Sequence, residues 1–292
     1  PTTNDPEGAN EKIWDFSDTE PPEPASSWSA LPNRALLYRP LPPHIGRCTC
    51  IIIKESYPDG FNNRSGVTYT LYTCEGRGRQ NRKLAVAHHM RRRGRSEFTV
   101  AQNFQAKTAS SSEDSLIIGI MTSNIVGSKY RVWDQGSCCH QQNPKLLAAV
   151  NFTPTVSTWT GKYRSMRAWI PVHQSMLLKS TYQVQHISGL PEQWEEENTD
   201  KSHRLVSKIP SYNKFTRQYE LEYRDIGITG LRICSSVKNF QLTMETNGKQ
   251  TILQLGKLGK SKYVMDHRYP LSGYQAFCIC LASIDSKLCC SV

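Results

Sequence analysis

The sequence predicts a mainly β protein: about twelve antiparallel strands in a sandwich or barrel, with one hydrophobic helix at the C-terminus. Three observations carry this. Short β-branched and aromatic runs recur from residue 48 to residue 265 with turn residues between them. Hardly any segment between those runs has helical periodicity, so successive strands are expected to pair antiparallel. The residues after Gln275 are apolar on every side of a helical wheel.

In chain order, residues 1–45 read as an acidic, Pro-rich, disordered tail. The first 30 residues hold five prolines and the isolated aromatics Trp14, Phe16 and Trp28, too little apolar surface to offset the entropy of ordering. Arg39-Pro40-Leu41-Pro42-Pro43 suits an extended lead-in to a domain over 46–292. Strands are expected at 48–54, 67–74, 83–89, 97–102, 116–121, 129–133, 146–152, 164–170, 218–223, 231–243, 251–255 and 261–265. Residues 67–72, Val-Thr-Tyr-Thr-Leu-Tyr, alternate with the period of a strand that has one wet face. Residues 173–203 are polar and acidic (Glu192, Glu195, Glu196, Glu197, Asp200) and read as a solvated insertion with room for one short helix. Pro270 suits a first helical turn. A helix apolar all round must be buried all round, and the longest apolar run, 276–282, is far below the roughly 20 residues that span a bilayer. It is expected to fill the interior of the β-structure, with a packed strand as the competing reading.

Composition adds constraints on function. The 292 residues are 38% hydrophobic, enough for a core. Lys and Arg outnumber Asp and Glu by 36 to 25, a net +11; residues 1–30 carry −6, which leaves the rest at +17. A body that basic favours an anionic partner, nucleic acid or phosphorylated lipid head group. No charged-then-apolar leader opens the chain, so a soluble intracellular protein is expected. The ten cysteines read as reduced structural thiols. No CxxC occurs, and Cys48 with Cys50, Cys138-Cys139-His140, and Cys289-Cys290 lack the single turn that offers two ligands to a tetrahedral ion, so neither metal nor other cofactor is expected. Gly256-Lys-Leu-Gly-Lys-Ser261 has Gln254 where a phosphate-binding loop needs glycine, and reads as a hairpin turn. No GxSxG or HExxH pattern is present, and Asp134, Asp225 and Asp266 sit at strand ends, where turn and charge-pair roles are common. A non-enzymatic protein is expected.

Five blocks resemble the signature of the tubby-like C-terminal domain family: Asn124-Ile-Val-Gly-Ser-Lys-Tyr-Arg-Val-Trp-Asp134, Ser236-Val-Lys-Asn-Phe-Gln241, Asp266-His-Arg-Tyr-Pro-Leu271, Gln275-Ala-Phe277 and Asp285-Ser-Lys-Leu288. The likeness covers about 46–292 and looks most like a plant branch. It implies a closed antiparallel barrel of twelve strands threaded by the final helix. Plant members commonly carry an F-box; its Leu- and Pro-punctuated helical pattern is not visible here, so docking to a ubiquitin-ligase adaptor is not expected.

The densest positive region runs over 77–95, with Arg77, Arg79, Arg82, Lys83, Arg91, Arg92, Arg93 and Arg95 and no acid. A turn expected at 91–94 places arginines at one rim, where they suit a polyphosphorylated ligand or form a solvated hairpin tip. The resemblance implies binding of phosphatidylinositol 4,5-bisphosphate or a related anionic head group through a Lys-x-Arg pair and an Arg on a neighbouring strand. By position these fall on His89, Arg91 and Thr122. Two of the three cations are therefore replaced, and Arg92, Arg93 and Lys129 are expected to compensate, which gives the candidate set His89, Arg91, Arg92, Arg93 and Lys129. Protonated His89 would supply a missing charge, so binding is expected to strengthen at low pH. The expected role is a membrane-tethered adaptor at the inner face of the plasma membrane, releasable to the nucleus. A DNA-associated regulator or a protein scaffold that has lost lipid binding are the alternatives.

Overall fold

The computed structural model describes residues 27–57, 66–76, 79–102, 117–135, 143–154, 163–172, 189–195, 201–223, 232–246, 248 and 250–288. The strands are β1 (Cys48–Tyr57), β2 (Gly66–Thr73), β3 (Lys83–Arg92), β4 (Arg95–Ala101), β5 (Ile117–Ser123), β6 (Lys129–Asp134), β7 (Leu146–Pro154), β8 (Arg164–Pro171), β9 (Ser202–Ser207), β10 (Ser211–Asn213), β11 (Gln218–Glu220), β12 (Phe240–Met244), β13 (Thr251–Lys257) and β14 (Lys262–His267). The α-helices are α1 (Asn33–Tyr38) and α2 (Gly273–Asp285). Twelve strands close into one antiparallel barrel in the order β1-β14-β13-β12-β9-β8-β7-β6-β5-β4-β3-β2, and β10 and β11 form a separate hairpin. Closure leaves the barrel no free sheet edge.

The barrel needs its helix because its bore would otherwise be empty. Alternate residues of each strand point inward, among them Leu71, Ala87, Phe98, Met121, Val132, Val150 and Leu253, and they pack around α2 as one core. Every α2 residue from Gly273 to Ile284 is buried. The few polar groups on the helix are matched individually: Gln275 Nε2 donates to Leu147 O at 2.9 Å and Tyr274 Oη to Trp133 O at 2.7 Å. Gly119 is where Tyr274 passes closest to the wall; a Cβ there would collide with the tyrosine hydroxyl and with Trp133 O.

The sequence-based picture needs four corrections. Pro270 lies just before the helix and not in its first turn: Ser272 caps it, accepting from Gln275 N at 3.3 Å while Gln275 Oε1 accepts from Ser272 N at 3.0 Å, a reciprocal cap that fixes Gly273 as the first helical residue. Residues 27–45 are not tail. Trp28, Leu36, Leu37, Leu41 and Ile45 are buried, and α1 stops the barrel end at the α2 N-terminus, fastened by Leu41 N to Leu271 O (3.1 Å) and by Arg82 Nη1 to Leu31 O (2.8 Å). Residues 1–26 lie outside the described residues. At the end of the expected insertion (173–203) and running beyond it, Ser202–Ser207 is the barrel strand β9, inconspicuous because Leu205 is its one fully buried residue, and Trp194, within the insertion, packs on Trp169 of the outer wall (ring centroids 4.9 Å). Conversely, residues 218–223 supply only β11, and from 231–243 only the last part enters the barrel, as β12.

Candidate functional site

The β3–β4 hairpin turns at Arg93 and Gly94, both at positive φ (49° and 80°). Two left-handed residues in succession match the twist of the flanking strands, and glycine at the second makes the turn compatible with this sequence. The turn thus holds two residues of the expected 91–94. It lies at the barrel mouth where α2 ends, beside the β5–β6 loop: a Cβ on Gly94 would sit 3.7 Å from Ile125 Cγ2.

Strand pleating divides the candidate residues between two faces. His89 is opposite Phe98, which is opposite Met121, and these point into the barrel. Met90 is opposite Glu97, which is opposite Thr122, which is opposite Arg131, and these point out. Consequently the three positions carried over from the family do not converge: His89 and Arg91 share the inner side of the mouth, and Thr122 stands on the outer wall.

On the inner side the group in command is Asp285, the last residue of α2, with a side chain 7% exposed. Tyr130 Oη donates to Asp285 Oδ2 at 2.8 Å. His89 Nε2 and Arg91 Nη2 stand 3.5 and 3.8 Å from Oδ1. The His89 ring is 11% exposed and stacked on Phe98, centroids 4.2 Å apart and 7° from parallel. Burial lowers its pKa more than Asp285 raises it, and the nearby Arg91 and Lys54 cations lower it further. The ring is thus placed on the inner side of the mouth, against Phe98 and Asp285, and not among the exposed cations of the hairpin tip. Around it, Arg164 donates to Ser283 O (3.1 Å) with its guanidinium 4.7 Å from the Phe152 centroid, and Lys238 Nζ donates to Ser286 O (2.5 Å). These cations sit where the helix dipole and Asp285 concentrate negative charge.

The outer face and hairpin tip are open. Arg92, Arg93, Arg95, Lys129 and Arg131 are all exposed there. Glu97 lies 3.7 Å from Arg92, an exposed pair that restrains the guanidinium weakly. Arg131 was missed in the sequence although the signal was present: Lys129-Tyr130-Arg131-Val132 alternates, so Lys129 and Arg131 must share a face. Arg131 is the direct cross-strand neighbour of Thr122, which puts a guanidinium one strand away from where the family would have one. The patch offers several N–H donors to phosphate oxygens. Arg91, half-exposed at the mouth, is shared between this patch and Asp285.

Two other clusters stand apart. Cys48 and Cys50 are two apart on β1 and therefore share the inward face, contrary to the sequence expectation that the pair would not converge; with His267 their donor atoms lie within 4.8 Å of one another. Burial raises the Cys48 thiol pKa and lowers His267 to about 4; two sulfurs and an imidazole inside the wall are a donor set that suits a soft cation. The described cysteines are unpaired thiols; Cys138, Cys139, His140, Cys289 and Cys290 lie outside the described residues. On the opposite half of the outer surface, Arg47, Lys208 and Arg268 line a polar recess of about 270 Å³, with Asp266 3.7 Å from Arg47.

Comparison with known proteins matches these features to one group. The model of the Tub family matches residues 37–286. Tubby-like protein 4 of Oryza sativa subsp. japonica is 57% identical over 288 residues, covering 96% of this chain and 68% of that protein. Tubby-like protein 8 of Arabidopsis thaliana is 56% identical over 284 residues, covering 96% and 70%. Protein king tubby 1 of Aedes aegypti is 33% identical over 178 residues, covering 59% and 41%.

Proposed function

Because the chain belongs to the Tub family, we propose that it is a non-enzymatic adaptor that binds phosphoinositide head groups at the cytoplasmic leaflet of the plasma membrane through the outer-face patch of Arg92, Arg93, Arg95, Lys129 and Arg131, with Arg91 at its edge. Release from that membrane would free it for the nucleus. The observation that carries this reading is the grouping of five exposed cations from β3, the β3–β4 turn, β4 and β6 around the outer side of Thr122. Guanidinium groups bind phosphate oxygens in pairs, and each cation brought to an anionic leaflet contributes about 1 kcal/mol. The cations substitute for those the family places at the positions of His89 and Thr122.

The test is sedimentation of the full chain with vesicles containing phosphatidylinositol 4,5-bisphosphate, comparing wild type with an Arg92→Ala, Arg131→Ala double variant. Loss of two cations should weaken binding by about one to two orders of magnitude, less at high salt. Equal binding of the two proteins would refute the patch. Salt-sensitive binding to duplex DNA without vesicle binding would replace the lipid by nucleic acid.

A further inference from the structure

We propose that the loop between β5 and β6 is a membrane wedge: Ile125 and Val126 enter the acyl boundary of an anionic bilayer while the cations around them hold the head groups. This rests on the head-group reading above and adds to it an apolar contact with the lipid itself. Ile125 and Val126 are 66% and 65% exposed, adjacent, and β-branched.

Their exposure is built in. Asn124 Oδ1 accepts from Ser128 N (2.8 Å) and Lys129 N (3.1 Å), Asn124 Nδ2 donates to Ser128 Oγ (2.9 Å), and Gly127 N donates to Asn124 O (3.1 Å). Gly127 turns the chain at φ +69°, and its carbonyl accepts from Ser286 Oγ at 2.9 Å, just past the end of α2. The loop is thus closed by its own side chain and tied to the central helix. It presents two apolar side chains to water with no means of folding them away. A soluble surface tolerates scattered apolar residues, but an adjacent pair at the tip of a braced loop is a different arrangement.

The surroundings state what the pair faces. Arg93 and Arg95 stand on the hairpin side, where Gly94 adjoins Ile125, and Lys129, Arg131 and Lys287 stand on the other. Long cationic side chains ringing a short apolar tip can keep their charges among phosphates while the tip descends past them. A protein partner would have to cover five cations and an apolar tip together; an anionic lipid surface complements both at once. The apolar gain is set by two four-carbon or smaller side chains leaving water in part, worth about tenfold to a hundredfold in partitioning for the pair.

The experiment uses the full chain and vesicles of phosphatidylcholine, phosphatidylserine and phosphatidylinositol 4,5-bisphosphate. An Ile125→Ser, Val126→Ser variant should partition ten- to a hundredfold more weakly than wild type, yet bind the free inositol phosphate head group equally well. Separately, Ile125→Trp should add an emission component that shifts to the blue on vesicle binding and is quenched by lipids brominated in their acyl chains. Unchanged partitioning of the serine variant, or a tryptophan that brominated lipid does not quench, overturns the wedge. Loop-dependent vesicle binding by a protein that does not take up the free head group sinks the head-group reading and leaves the wedge standing. Absence of vesicle binding altogether sinks both.

Discussion

Removing a single oxygen from the barrel mouth should cost the protein a measurable part of its stability. Tyr130 is 1% exposed, and its hydroxyl donates to Asp285 Oδ2 at 2.8 Å. Tyr130→Phe keeps the ring, including its edge-on contact with Phe152 at 5.9 Å, and deletes the donor. The carboxylate then has His89 and Arg91 at 3.5 and 3.8 Å from its other oxygen, too far to replace a hydrogen bond. A hydrogen bond to a charged acceptor is worth about 1.5–3 kcal/mol net, and here the acceptor is buried. The expected loss is about 2 kcal/mol, seen as a melting temperature lower by roughly 4–6 °C. Urea denaturation followed by circular dichroism should be run on Tyr130→Phe, Asp285→Asn and the double variant. Because the two residues share one interaction, the double variant should be less destabilised than the sum of the singles by at least about 1 kcal/mol. A Tyr130→Phe protein within about 0.5 kcal/mol of wild type, or strict additivity, would refute the assignment of Tyr130 as the carboxylate's anchor.

Two further outcomes are expected. Thr122→Arg should tighten vesicle binding about fivefold by adding one cation between Glu97 and Arg131, measured by sedimentation at fixed salt; no gain would place the lipid elsewhere. Stability is expected to depend on pH through the buried histidines. His267, lowered to about 4 in the fold, is protonated first in the unfolded chain, so its contribution is complete above about pH 6.5 and is lost as pH falls from there toward 4, by up to roughly 3 kcal/mol. His88, His89 and His203 are lowered chiefly by burial and add in the same direction. Urea midpoints measured across that range check the slope, which His267→Gln should reduce; vesicle binding corrected for folded fraction should not rise on His89 protonation near pH 6.

The fold was legible wherever residue pattern and burial coincide. Strands such as β2 and β3 alternate or run apolar because the wall separates a packed interior from water, and α2 is apolar all round because a wall encircles it. Legibility failed where few residues do the packing. Ser-His-Arg-Leu-Val-Ser commits only Leu205 to the core, and a segment with two apolar residues among four polar ones does not stand out as a strand. Trp28, Leu36 and Leu37 are spaced among prolines and charges, and they become core only because the barrel end needs a stopper. The candidate site was legible as a charge density and illegible as a geometry. Nothing in His88-His89-Met90-Arg91-Arg92 says which alternate set faces Asp285, since that depends on where a helix nearly 200 residues later comes to its end. The same parity rule that identifies Arg131 beside Lys129 also brings Cys48 and Cys50 together, a step available from spacing alone.

The position of α2 in the chain has a consequence for how the protein is made. The segment that fills the bore is synthesised after all twelve barrel strands, and among the described strands β1, early in the chain, pairs with β14, late in it. Until β14 is made, β1 has no partner for its open edge, and until α2 has emerged the strands have no helix to close around. Cooperative folding must therefore wait for the helix to emerge, through contacts of very long sequence separation, with apolar strand faces exposed in the interval. A nascent chain stopped before Gly273 would not be a slightly trimmed barrel; it would be a wall without its central helix, and a client for chaperones.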